Sequence, residues 1–172
     1  MTRVSLSTIV FREATLEDAN RIVSLRNEVS DRLTSVYGKG HWTSTVSEAG
    51  LLNTMRTATV YVAMNGESLV ATLALSTRKP WAIDTAYFTK CKKPIYLTAM
   101  AVAPDEQRKG IGRLCAERAI VAARDWPSDA IRLDAYDAPA GAGEFYAKCG
   151  FSETGLVVYR GVPLTYFELC FE

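Results

Sequence analysis

The chain has 172 residues, a length that corresponds to about one domain. Hydrophobic residues make up 48% of the sequence and charged residues 23%, a balance that excludes a largely disordered chain. Twenty basic residues against nineteen acidic ones leave a formal net charge of +1, which argues against nucleic-acid binding through a general positive field.

In the first half of the chain, the hydrophobic pattern predicts a strand, two helices and a hairpin. Thr15 and the two acids after Leu16 are typical of a helix start, and apolar residues then recur at helical spacing. Asn65-Gly66 separates two strand-like stretches and suits a tight hairpin turn. The predicted elements are a strand over 9–12, helices over 15–29 and 48–56 with a loop around 38–42, and hairpin strands over 59–64 and 68–76.

The second hairpin strand and the segment after it carry further expectations. From Leu69 to Leu75, apolar residues alternate with smaller or polar ones, which predicts a strand with one buried face. Residues 77–93 contain Pro80, Trp81 and several lysines, and we expect them to form a long exposed loop.

The second half of the chain alternates strands and helices more regularly. An apolar run ends at Pro104, and the helix after it carries Arg113 and Glu117 as an i,i+4 pair. The predicted elements are strands over 95–103, 130–136, 156–159 and 164–171, and helices over 110–124 and 142–148. The order β-α-α-β-β-β-α-β-α-β-β predicts an α/β (α+β) fold, a mixed sheet of about six to seven strands with helices on both faces.

Residues 101–113 combine a strand end, a polar turn and a helix that opens on two glycines. Gly110 and Gly112 allow the backbone to approach a ligand closely, and the free N–H groups at a helix start point outward. Together with the helix dipole they suit an anion such as a pyrophosphate, and Arg108, Lys109 and Arg113 add three positive charges. The alternative is a tight strand–helix turn with a solvated basic rim.

Other phosphate loops and hydrolase motifs are missing from the sequence. It has no GxxxxGK[ST], GxSxG or HExxH, and position 115, where a dinucleotide fingerprint needs a third glycine, is a cysteine. The four cysteines are widely spaced and His41 is the one histidine, so no metal site is expected. Because the sequence shows no membrane span and no secretory signal, we expect one cytoplasmic domain over 1–172, without membrane or nucleic-acid partners.

Two motifs resemble those of the GNAT superfamily of N-acetyltransferases. The stretch 107–112, QRKGIG, is similar to the family's Q/R-x-x-G-x-G/A motif, and 144–151, EFYAKCGF, is similar to its FYxKxGF signature. The predicted element order resembles that of the family from residue 9 to residue 171. A short stretch, 38–42, also resembles the G-x-x-Q-W loop of a poorly defined subgroup. The resemblance implies a GNAT fold whose central sheet is splayed.

The resemblance also implies roles for particular residues. Acetyl-CoA would be the acyl donor, and Tyr146 would protonate the departing thiolate. The family's frequent asparagine seven residues before this tyrosine is Pro139 here, which puts one coenzyme contact in doubt unless Asp137 replaces it. The residues implied in coenzyme binding are Met100, Ala101 and Val102, through their main chain, and Gln107, Arg108, Lys109, Gly110, Ile111, Gly112 and Arg113.

The acceptor side of the predicted enzyme is less constrained. A primary amine of a small molecule or peptide is protonated at neutral pH, so its attack needs a general base. The candidate bases are His41, Glu48, Glu67 and Asp84, and the aromatic residues that suit an acceptor pocket are Trp42, Tyr61, Trp81 and Tyr87. We assign substrate binding to His41, Trp42, Trp81 and Asp84.

Two other classes of function stay open at this point. A non-catalytic acyl-CoA-binding regulatory module would keep the phosphate loop without transferring an acyl group. An interaction protein would use residues 77–93 or the last strand as a surface for a partner, including a second copy in a homodimer. Binding of acetyl-CoA separates the last class from the other two.

Overall fold

The computed structural model describes residues 5–172, and the first four residues of the predicted domain lie outside this range. A seven-stranded sheet in the order β1-β2-β3-β4-β5-β7-β6 organises the described chain. The strands are β1 (Ile9–Glu13), β2 (Thr59–Asn65), β3 (Ser68–Ser76), β4 (Pro94–Val102), β5 (Ala130–Tyr136), β6 (Ser152–Tyr159) and β7 (Val162–Cys170). The helices are α1 (Ala19–Tyr37), α2 (Glu48–Thr57), α3 (Ile111–Asp125) and α4 (Gly143–Lys148).

The sheet is mixed, as predicted, because β4 and β5 are parallel whereas β1–β2, β5–β7 and β6–β7 are antiparallel. All predicted elements occur in the predicted order, and Gly66 has the positive φ, +60°, that the hairpin turn requires. The largest error in bounds is in α1, which continues to Tyr37, eight residues beyond the predicted stripe. Leu33, Val36 and Tyr37 continue the helical spacing from Val29, so the sequence does carry the signal for this extension, although Val36 and Tyr37 are exposed.

The predicted single buried face of β3 is wrong. Every residue from Val70 to Ser76 is buried, including Thr72 at 3% exposure. The strand lies between β2 and β4 in the interior of the sheet, where both of its faces are covered. Thr72 is accommodated because its hydroxyl donates a hydrogen bond of 2.9 Å to the carbonyl of Tyr61.

The chain divides into two compact units. The first continues through Ala74 and includes Ala99–Arg118; the second comprises Leu75–Thr98 and Ala119–Glu172. In the first unit, Ile22 of α1, Leu51 of α2 and Val62 of β2 are almost completely buried in one hydrophobic cluster. Burial of such side chains stabilises the fold by roughly 1.5–3 kcal/mol each.

A buried carboxylate fixes the start of α1 in the first unit. Asp18 accepts hydrogen bonds from Arg12 (2.7 and 3.0 Å), from the backbone N–H of Thr15 (2.8 Å) and from Arg21 (2.8 Å). Arg21 also donates to the carbonyl of Glu67 in the hairpin turn (3.0 Å). The Arg12 guanidinium, with these other donors, holds the pKa of Asp18 well below its usual range.

In the second unit, the expectation that 77–93 is an exposed loop holds only in part. Ile83 and Phe88 are 2% and 9% exposed and form a cluster with Tyr96 of β4 and Tyr166 of β7. Trp81, by contrast, is 82% exposed. The sequence pattern failed here because the buried residues are isolated apolar positions in an irregular segment, with no helical or strand period to identify them.

A buried ion pair anchors the same segment. Arg132 Nε of β5 lies 2.7 Å from Glu168 Oε2 of β7, and the two side chains are 4% and 3% exposed. The other Glu168 oxygen accepts a hydrogen bond from the backbone N–H of Thr89 (3.0 Å), and the Arg132 guanidinium lies over the ring of Phe88. The segment 77–93 is therefore held against the sheet at Phe88 and Thr89.

The pairing of β4 with β5 covers only the beginning of each strand. Pro94–Tyr96 pairs with Ala130–Arg132, whereas β5 continues for four further residues and β4 continues through Thr98 and beyond. From Leu97 and Leu133 onward the two strands share no register. This is the splay that was predicted for the centre of the sheet.

Candidate active site

The segment between β4 and α3 has the backbone conformation of an anion-binding loop. A 3-10 turn over Pro104–Glu106 follows the strand, and α3 begins at Ile111. Arg108 and Gly110 have φ values of +62° and +88°, so the backbone reverses direction twice before the helix. Successive N–H groups in such a conformation converge on one concave surface.

The N–H groups of this loop precede the first hydrogen bond of α3, and the side chain of Leu6 lies beside Gly110. The first hydrogen bond of the helix runs from the N–H of Leu114 to the carbonyl of Gly110 (3.0 Å). Within residues 5–172, no backbone acceptor is found for the N–H groups of 108–113. Gln107 uses its side chain inside the loop, because its Nε2 donates to the carbonyl of Val102 (3.0 Å).

The basic side chains of the loop lie at its rim. Lys109 Nζ is 3.2 Å from Glu106 Oε2, and Arg113 Nε is 3.4 Å from Glu117 Oε1, while Arg108 is exposed. These exposed pairs contribute little stability. The features of the loop that suit an anion are therefore its backbone N–H groups and the helix start, with the cations adding a favourable field.

A bulge in β4 is a feature that sequence reasoning missed. Ala99 has a φ of +52° in the middle of the strand, a conformation that is rare for a residue with a side chain. The direction of the backbone amides changes at this residue, immediately before the predicted coenzyme-binding residues Met100, Ala101 and Val102. No sequence signal identifies it, because glycine is the residue that normally marks a positive φ.

Tyr146 of α4 is buried among aromatic rings. Its ring contacts those of Phe145, Phe151 and Phe167 at centroid distances of 5.2, 5.8 and 6.2 Å. Burial raises the pKa of its phenol far above the ordinary value, and the nearby carboxylate of Asp134 raises it further. The hydroxyl is therefore protonated throughout the physiological pH range.

Asp134 is a second residue that was not assigned a role from sequence. It lies in β5, two residues beyond the last β4 pair, and directly opposite Tyr166 in the β5–β7 register. Burial raises the pKa of its carboxyl group. Its charge also contributes to the raised pKa values of Tyr146 and Tyr166, so it lies near both phenols. The sequence signal for this residue is an acid within the predicted strand 130–136.

A family model for the acetyltransferase (GNAT) family matches residues 23–151, which include both the loop and Tyr146. The chain belongs to the GNAT acetyltransferase family. The match covers most of the chain and agrees with the mixed, splayed sheet described above.

Solved structures confirm the GNAT fold over nearly the whole chain. Salmonella typhimurium yncA, solved with its cofactor acetyl-CoA, matches 96% of this chain and 95% of its own with 18% identity and a TM-score of 0.70. Ribosomal-protein-alanine N-acetyltransferase from Brucella melitensis matches 94% of this chain and 99% of its own, with 18% identity and a TM-score of 0.69. No functionally curated protein matches the chain.

The turn before α4 departs from the family motif in this GNAT chain. Pro139 and Asp137 are exposed, and the N–H of Asp137 donates to the carbonyl of Pro163 (3.0 Å). A Cβ atom on Gly141 would lie 1.8 Å from the carbonyl oxygen of Tyr136, so the turn requires glycine there. A contact between Asp137 and the coenzyme stays a prediction.

Two of the four predicted acceptor residues lie together in the second unit. Trp81 and Asp84 line a cavity of about 390 Å³ with Tyr87, Tyr159 and Tyr166. This cavity faces the strand β6, whose Leu156 and Val158 side chains are exposed.

The other acceptor candidates have structural surroundings in the first unit. Trp42 donates from its ring nitrogen to the carbonyl of Gly38 (3.0 Å), and its own carbonyl accepts from Ser30 (2.6 Å). Tyr61 is buried and stacked on Phe11 at 5.1 Å, which is ordinary strand packing. Three further candidates, His41, Glu48 and Glu67, are exposed, and a catalytic role for them stays a prediction.

The described residues contain neither a cluster suited to a metal ion nor a helix suited to crossing a membrane. Among residues 5–172 there is no group of three or more His, Cys, Asp or Glu side chains placed to hold a metal ion. No helix in the same range combines the length and apolar composition needed to cross a membrane.

Proposed function

We propose that this chain transfers an acetyl group from acetyl-CoA to a primary amine of a small molecule or peptide, by direct attack in a ternary complex. The observation that carries this proposal is the loop before α3 in a member of an acetyltransferase family: among residues 5–172, no backbone acceptor is found for its consecutive N–H groups. When bound, acetyl-CoA supplies an activated carbonyl whose leaving group is a thiolate.

The loop binds the coenzyme phosphates in this proposal. Amides of 108–112 donate to phosphate oxygens, whereas the N–H of Gln107 already donates to the carbonyl of Pro104 (3.4 Å). Arg108 and Arg113 add positive charge at the rim. Gly110 supports the assignment because its φ of +88° is needed to turn the amides outward. The main chain of Met100, Ala101 and Val102 pairs with the pantetheine arm.

The bulge in β4 provides the stabilisation of negative charge. A backbone N–H near Ala99 donates to the carbonyl oxygen as negative charge develops on it during attack by the amine. The conformation at Ala99 supports this role, because it directs an amide away from the regular strand ladder. Such a donor is fixed before the reaction and needs no reorganisation.

Tyr146 and Asp134 carry the proton transfers. The neutral phenol of Tyr146 donates its proton to the sulfur as the thiolate departs. Asp134 accepts the proton that the ammonium must lose before the amine attacks. Its raised pKa brings the carboxylate closer to the value that suits a general base at neutral pH.

The coenzyme assignment is tested by thermal unfolding with acetyl-CoA. At about 100 times its dissociation constant, the ligand should add about 2.7 kcal/mol to the free energy of unfolding. Gly112→Pro removes one N–H of the first helical turn, which has no partner inside the helix, whereas Gly112→Ala keeps it. Proline should weaken acetyl-CoA binding about tenfold or more relative to alanine, since a hydrogen bond to a charged group is lost.

Thiol release in the presence of an amine panel tests the transfer itself. Release that depends on both acetyl-CoA and an amine supports the enzyme. A normal stabilisation by acetyl-CoA without release for any amine would instead indicate a regulatory module. No stabilisation at millimolar acetyl-CoA would refute the coenzyme site and with it the proposed function.

A further inference from the structure

We infer that the cavity beside β6 is the acceptor site, and that it selects an organic cation in which a primary amine is attached to an aromatic or apolar body. This inference rests on the proposed function, because it assigns the substrate class of that reaction. Three observations carry it, namely the lining of the cavity, the placement of Asp84 and the position of Asp134 opposite Tyr166.

The lining combines aromatic surface with a single charge. Trp81, Tyr87, Tyr159 and Tyr166 contribute four aromatic side chains, and the apolar residues of β6 contribute most of the rest. Asp84 is the one charged residue among the lining residues. Trp81, which lines the cavity, is 82% exposed, so its ring is accessible to a ligand. Aromatic faces and a carboxylate together favour an ammonium ion.

Asp84 is held in place by the sheet. Its backbone N–H donates to the hydroxyl of Tyr166 (3.1 Å), and that hydroxyl donates in turn to the carbonyl of Ala82. One carboxylate oxygen, Oδ1, accepts the N–H of Ala86 (3.0 Å). The carboxylate is therefore oriented by the backbone, and its second oxygen, Oδ2, is the acceptor that an incoming ammonium meets.

Tyr166 connects this recognition site with the proposed base. Tyr166, which lines the cavity, lies opposite Asp134 on the neighbouring strand, so both side chains are on one face of the sheet. The charges of Asp134 and Asp84 both act on the Tyr166 phenol. The amine enters as a cation attracted by Asp84 and loses its proton to Asp134 before it attacks the carbonyl.

Three probes that share a phenyl ring and differ in charge test the inference. Phenethylamine is cationic at neutral pH, 2-phenylethanol is neutral and 3-phenylpropanoate is anionic. Calorimetric titration into the full-length protein, at constant ionic strength, measures the affinity for each. Phenethylamine should bind at least tenfold more tightly than 2-phenylethanol, and 3-phenylpropanoate most weakly. Equal affinities for the amine and the alcohol would overturn the inference.

Variants locate the binding site. Asp84→Asn should weaken phenethylamine binding about tenfold and leave 2-phenylethanol unaffected, whereas Trp81→Ala should weaken both probes. Glu153→Gln is the matched control, because it removes an exposed carboxylate from β6 outside the cavity. Phenethylamine affinity that is unchanged in both Asp84→Asn and Trp81→Ala would place the amine elsewhere and refute the site.

Two further measurements separate this inference from the proposed function. Acetyl-CoA should stabilise Asp84→Asn as much as the wild type, because Asp84 has no part in the coenzyme loop. In the thiol-release assay, Asp84→Asn should raise the KM for phenethylamine about tenfold with a smaller change in kcat. Amine binding without coenzyme binding would refute the proposed enzyme and leave the cavity as an amine-binding site without an acceptor role. Coenzyme binding without selection of the amine would refute only the acceptor site.

Discussion

The hydroxyl of Tyr146 can be removed without disturbing the packing of its ring. Because Tyr146→Phe retains the ring, its contacts with Phe145, Phe151 and Phe167 remain. We expect kcat to fall about 100-fold, at the low end for loss of a general acid, with the KM for acetyl-CoA nearly unchanged. Single-turnover kinetics with acetyl-CoA and an amine acceptor measures the chemical step directly.

Tyr37→Phe serves as the control, since it makes the same substitution at the exposed end of α1, outside the proposed site. It should leave the rate unchanged. If Tyr146→Phe matches the wild type while chemistry limits turnover, the tyrosine is a packing residue and the thiolate leaves without it.

A second prediction at the scale of one residue concerns Asp134. The direction of the expected pH dependence of kcat/KM follows from the raised pKa of its carboxyl group. A base must be deprotonated to act, so kcat/KM for the amine should fall as the pH drops through that pKa. In Asp134→Asn the rate should decrease about 100-fold and the acidic limb of the profile should disappear. Asp137→Asn, an exposed change on the loop after β5, should retain the limb. An unaltered limb in Asp134→Asn would exclude this residue as the base.

At the scale of elements, sequence reasoning succeeded where a local signal determines local structure. Asn65-Gly66 specifies the hairpin, and Gly150, with a φ of +94°, ends α4 where predicted. The loop before α3 was found because two glycines follow a strand and precede a helical stripe. In each case the residues that carry the signal are the residues that adopt the conformation.

The same reasoning failed where the structure depends on distant parts of the chain. Burial of both faces of β3 results from the strands on either side, which the β3 sequence does not encode. Ala99 adopts a positive φ although its side chain disfavours it, so tertiary contacts impose the bulge. The burial of Phe88 depends on Arg132 and Glu168, residues more than 40 positions away. The cavity was predicted only as separate residues, Trp81 and Asp84, whose proximity the structure supplied.

At the scale of the whole molecule, each compact unit contains one buried carboxylate paired with guanidinium groups. Asp18 holds the start of α1 in the first unit, and Glu168 holds residues 77–93 in the second. Burial alone would raise the pKa of Glu168, but hydrogen bonds from Thr89 and Arg132 outweigh it and leave the pKa lowered. Both carboxylates therefore make the fold sensitive to acid.

The free energy of unfolding should depend on pH through these two groups. A carboxyl group with a lowered folded pKa stabilises the fold fully above its unfolded value of about 4, and this stabilisation is lost as the pH falls toward the folded pKa. Glu168→Gln should cost about 3 kcal/mol at neutral pH, because it leaves Arg132 buried without its partner. Asp18→Asn should cost about 2 kcal/mol, since Arg12 and Arg21 are 38% and 46% exposed and can be solvated.

Urea unfolding between about pH 7 and pH 3 measures both effects, and each variant should lose less stability on acidification than the wild type. Glu144→Gln, which breaks an exposed pair with Lys148, should retain the wild-type dependence, because solvent screens that pair. Parallel pH curves for all four proteins would show that neither buried carboxylate controls acid stability.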